Sequence, residues 1–154
     1  MSTIELPNKM SSLLRLAVKD AQACEADPRY VLMMGSWHEP ARNSAKCAVC
    51  MAGAVMAQTI GVTPLKVVSP YSFTPPTRRR LEAIDDMRCG GFDDAYLAIV
   101  SGCLDEGGRC DAVGEQERAI QDCEALVERD MGKAARAPWE TYLQAADILE
   151  KVGL

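Results

Sequence analysis

Residues 47 to 57 read CAVCMAGAVMA, and no rotation of a helical wheel gives this stretch a polar face. A helix apolar on every side must be buried on every side, so any fold the chain adopts has to wrap around it. Ala48, Ala52, Gly53, Ala54 and Ala57 are small enough to let neighbouring backbones approach closely. Asn43 or Ser44 stands where an N-cap belongs, and Gly61 where a left-handed residue would end the helix. The segment is therefore expected to be a central helix over residues 45–60.

The rest of the chain supplies amphipathic helices to surround it. With Asn8 as the expected cap, Met10, Leu13, Leu14, Ala17, Val18, Ala21 and Cys24 recur at helical spacing, and Asp27-Pro28 ends the run. Thr74 or Thr77 is set to cap a helix reaching Arg88, with Leu81, Ile84 and Met87 inward. Residues 92–100, 114–131 and 138–152 read as three more, the last burying Trp139, Tyr142, Leu143, Ala146 and Leu149. Four prolines make 62–77 a crossing loop. Only RYVLMM at 29–34 and LKVV at 65–68 suggest strands, enough for a small two-stranded ribbon. A length of 154 residues and an aromatic content of 5% fit one helix-rich domain. The expectation is an all-α fold, a single compact domain over 1–154, with five to six helices around the buried one.

Charge narrows the function. Residues 1–81 carry a balance of +5, residues 82–130 one of −10, and the remainder is neutral. So acidic a chain is not expected to bind nucleic acid non-specifically, because that needs a face that neutralises phosphates. The acidic stretch could meet a basic partner through Asp85, Asp86, Asp93 and Asp94, although a solvated helix face accounts for the same pattern. The longest apolar run is about half a bilayer span, so no membrane association is expected. The first ten residues lack the pattern of a secretory leader. A cytoplasmic protein with mostly reduced cysteines is the resulting expectation, the seven cysteines being an odd number.

The sole histidine, His38, precedes Cys47-x-x-Cys50 by nine residues. Imidazole and paired thiolates are zinc ligands, so His38, Cys47 and Cys50 form a candidate metal site whose fourth ligand would come from Cys89, Cys103 or Cys110, or be water. A redox dithiol at a helix start is a further option. The plain alternative is that both cysteines are small buried hydrophobes. Trp37 beside His38 could hold a planar ligand. Arg78, Arg79 and Arg80 at a helix start could bind a small anionic ligand such as a phosphate. The common nucleotide, hydrolase and metalloprotease signatures are absent.

Trp37-His38, Cys47-x-x-Cys50 and AGAVMA at 52–57 together resemble a pattern in small accessory proteins of tailed bacteriophages and prophages. The resemblance spans about a sixth of the chain and transfers no catalytic residue. It implies a small protein made in a bacterial host cytoplasm that acts by binding a host enzyme, a defence factor or a nucleotide signal. The expected function is thus a non-enzymatic accessory protein that inhibits or sequesters a host component, without a cofactor. A zinc protein using His38, Cys47 and Cys50 and a self-associating structural protein, a homo-oligomer, are the alternatives.

Overall fold

In the computed structural model, which describes residues 5–88, 114–131 and 137–154, those residues form five α-helices and a three-stranded sheet. Helix α1 (Met10–Ala26) buries the seven apolar residues expected of it and stops ahead of Pro28, with Asp27 N–H bonded to the Cys24 carbonyl. Three short strands follow: β1 (Tyr30–Leu32), β2 (His38–Pro40) and β3 (Cys47–Val49). The spatial order is β1-β3-β2, with β3 parallel to β1 and antiparallel to β2.

This sheet corrects the expected all-α class. It also corrects the central helix, because residues 47–49 are its middle strand and the helix starts only at Met51. A short apolar run buried on all sides has no periodicity to tell strand from helix, and here the flanking backbone decides. Cys47 N–H donates to the Arg29 carbonyl and Met33 N–H to that of Val49. Neither Asn43 nor Ser44 caps a helix; Asn43 sits in the β2–β3 connection at φ 59. The two-stranded ribbon is likewise revised, with 30–32 pairing to 47–49 and Val68 making only an isolated bridge to His38.

Helix α2 (Met51–Val55) is buried throughout and runs on into a π-helical turn over Met56–Ile60, closed by Gly61 at φ 85. The first half of the expectation thus survives: the apolar segment is the centre of the core. Gly53 is required there by a close approach, since a Cβ on it would lie 1.6 Å from the Trp37 carbonyl oxygen. The wider π turn presents two polar side chains to α1. Thr59 Oγ1 donates to Asp20 Oδ2 at 2.5 Å, and Gln58 Nε2 to Cys24 Sγ at 3.5 Å.

Helices α3 (Pro75–Arg88), α4 (Gly114–Met131) and α5 (Trp139–Lys151) complete the set. Leu81, Ile84 and Met87 are buried as expected, whereas Leu143 is exposed and Ala145 takes its place inside. Pro138 precedes α5 as its cap residue. Asn8 does not cap α1; Lys9 holds that position, and the Asn8 amide oxygen accepts from Arg80 instead. Helix α1 lies on α5, joined by Arg15 to Asp147 and Glu150 at 2.7 and 2.8 Å. Ser11 extends that junction, its N–H and Oγ both donating to the Leu154 backbone oxygen at 3.1 and 2.8 Å. The helix expected over 92–100 lies outside the described residues. Among the described residues, no helix is long and apolar enough to cross a membrane.

Candidate functional site

The sheet puts His38 next to Cys47. His38 pairs in register with Val49, so Cys47, two residues back on the same face of β3, is its diagonal neighbour. The imidazole is only 1% exposed, and the Cys47 thiol lies 3.7 Å from each ring nitrogen. The Nδ1 atom is 2.6 Å from the Lys66 carbonyl oxygen. A carbonyl can only accept, so Nδ1 carries the proton. His38 also accepts from Val68 N–H through its own carbonyl, at 2.9 Å. The residue thereby ties the 66–68 segment to the sheet through both its side chain and its backbone.

Cys50 turns elsewhere. It is the N-cap of α2, where its sulfur accepts from Gly53 N–H at 3.3 Å. Of the two cysteines only Cys50 stands at a helix start, because Cys47 lies in β3. Among the described residues, no three His, Cys, Asp or Glu side chains gather where one metal ion could sit. Cys89, Cys103 and Cys110 lie outside the described residues. Burial pushes the Cys24 thiol up to about 11, partly offset by the Gln58 hydrogen bond, and the Cys123 thiol up to about 12. Both are protonated at neutral pH, and Cys123 donates to the Ala145 carbonyl at 3.3 Å. Neither is a ready nucleophile.

The arginines diverge. Arg80 reaches back to the N-terminal segment, with Nε on the Pro7 carbonyl at 3.2 Å, Nη1 on that of Pro76 at 2.9 Å and Nη2 on Asn8 Oδ1. It walls a cavity of about 300 Å³ with Glu5, Leu6, Asn8, Thr74, Pro76 and Thr77. Trp37 and His38 do not line that cavity. The Arg78 guanidinium instead stands 5.8 Å from the centre of the Tyr71 ring, and Arg79 is half-buried. Trp37 packs partly buried against the core. Asp85 and Asp86 are half-buried on α3 and already interact within the protein. Asp93 and Asp94 lie outside the described residues.

A different surface went unnoticed in the sequence. The loop after α2 exposes Leu65 (46%), Val67 (73%) and Tyr71 (76%) within seven residues. Leu65 adopts φ 71, a left-handed conformation unusual for a bulky side chain. Beside it opens a mainly apolar groove of about 510 Å³. Its walls are Pro28 and Arg29 from the α1–β1 turn, Ser44, Ala45 and Lys46 from the β2–β3 connection, and Pro64 and Leu65. The signal was present in PLKVVSPY, where apolar residues sit between prolines with neither helical nor strand periodicity to bury them.

No family model matches the chain, and no curated protein or solved structure shows significant similarity to it.

Proposed function

We propose that the chain is a non-enzymatic binding module that docks onto another protein through the Leu65–Tyr71 loop. This is the accessory, host-directed role that the phage-type pattern implies. The observation that carries the reading is the exposure of Leu65, Val67 and Tyr71 on one short loop next to an apolar groove. Single exposed apolar residues need no explanation, but a group of them is a usual mark of an interaction site. The same loop is anchored from behind by His38, through Lys66 and Val68, so its exposed side chains are held on a fixed backbone. A preorganised loop loses less entropy on binding than a free one.

The test is quantitative affinity capture from a bacterial lysate with the wild type and a Val67→Asp/Tyr71→Ala double variant. One or a few proteins should be retained by the wild type and lost by the variant. Identical captured sets would overturn the reading, and a doubled solution mass abolished by the same substitutions would replace it with self-association.

A further inference from the structure

The groove beside Leu65 has a chemistry of its own. Its walls are apolar at Pro28, Ala45, Pro64 and the side chain of Leu65, and its volume lies within the ordinary range for ligand pockets. Its charged members, Arg29 and Lys46, are both cations. Arg29 is held by Asp27 at 2.8 Å. Lys46 is exposed, with no carboxylate within ion-pair distance among the described residues. Lys66, also exposed, follows Leu65 directly. The loops that build the groove contain both of the non-glycine residues with positive φ among those described, Asn43 at 59 and Leu65 at 71. Asn tolerates the left-handed region, but a bulky Leu adopts it rarely, and such strained positions concentrate at functional sites.

Building on the binding reading above, we propose that this groove receives an acidic peptide segment of a partner protein. One apolar side chain sits between Pro28, Ala45, Pro64 and Leu65, and a flanking carboxylate meets Lys46, since Arg29 is already engaged by Asp27. The charge pattern selects this occupant. An apolar hollow beside a lysine that has no carboxylate partner among the described residues complements an apolar anchor next to an acid, and it disfavours a basic segment. A small phosphate is poorly served by a groove whose lining is mainly apolar. Nucleic acid is disfavoured by the chain's net charge of −5.

The test is fluorescence anisotropy on the full chain with a labelled Glu/Gly peptide carrying one central Leu. Companion probes replace the Leu by Ser, replace every Glu by Gln, or substitute an oligothymidine. The Leu/Glu peptide should bind, and each peptide companion should bind at least about five-fold more weakly. Raising salt should weaken binding several-fold, as screening requires. Lys46→Glu, which reverses the rim charge, and Ala45→Trp, which fills the hollow, should each weaken binding about ten-fold. Both positions are exposed, and unchanged thermal unfolding of either variant establishes that the fold is intact.

Four results overturn the proposal: no binding, equal binding of the Ser peptide, preference for oligothymidine, or indifference to both variants. A doubled mass in sedimentation that Lys46→Glu abolishes also overturns it, by making a second copy the occupant. If the peptides fail while lysate capture still depends on Val67 and Tyr71, the groove assignment falls and the binding reading stands. If both fail, both fall.

Discussion

Two neighbouring segments of this chain carry similar apolar character and meet opposite fates. Cys47 to Met56 is buried at every position, whereas Val62 to Tyr71, which begins six residues later, exposes Leu65, Val67 and Tyr71. The first is continuous and rich in small residues, so strand and helix can be enclosed on all sides. The second is interrupted at Pro64 and Pro70, which deny it regular hydrogen bonding and hold it at the surface. Apolar content alone does not decide burial.

Four substitutions break or sharpen this contrast. The largest effect belongs to Gly53→Ala in the buried segment. The added Cβ meets Trp37 backbone at 1.6 and 2.8 Å, so unfolding in urea should reveal a loss of about 4 kcal/mol or more, or no folded protein. A loss under about 1 kcal/mol would mean that the Trp37 loop does not lie on α2. Next comes His38→Ala, which empties a buried site and leaves the Lys66 carbonyl without its donor; a loss of about 3 kcal/mol is expected from the same measurement. The variant should also loosen the Leu65–Tyr71 loop, read as faster amide exchange at Val68.

A smaller, pH-dependent effect is expected at Asp20. It is 5% exposed, and desolvation raises its carboxyl above the usual range despite the opposing Thr59 hydrogen bond. A carboxyl raised in the folded state binds its proton more tightly there than in the unfolded chain. Its cost is thus absent below the unfolded value and grows as pH rises through the folded one. Asp20→Asn should therefore gain on the wild type between acidic and neutral pH, measured as the difference in thermal midpoint. A constant difference would place the carboxylate in a better-hydrated setting.

The smallest effect is at the exposed loop. Leu65→Gly relieves the left-handed backbone while removing a half-exposed side chain, so stability should change by less than about 0.5 kcal/mol. Partner binding should nevertheless fall, because the groove loses a wall. A large stability loss would reveal Leu65 as a core residue.

The sequence made the helices legible because their periodicity is local. The buried face of α1, the bounds of α4 at 114–131 and the left-handed Gly61 all follow from spacing and backbone chemistry. It concealed the sheet because each strand has three residues, too few for alternation to register, and because the order β1-β3-β2 depends on contacts between distant residues. The candidate site divided along the same line. His38 and Cys47 do meet, but Cys50 turns away because a helix start three residues ahead of Gly53 uses its sulfur. The groove was invisible because Pro28, Lys46 and Leu65 belong to three separate loops.

The bond from Ser11 to the Leu154 backbone has a consequence in time. Its two ends are 143 residues apart, and α1 rests on α5 along the same junction. On a ribosome adding about 5–20 residues per second, roughly 7–30 s separate the emergence of the two. Throughout that interval α1 lacks the part of its packing surface that α5 supplies. The nascent chain is thus an adhesive species before it is a folded one, and its yield in a cell should rise with the supply of chaperones that shield α1.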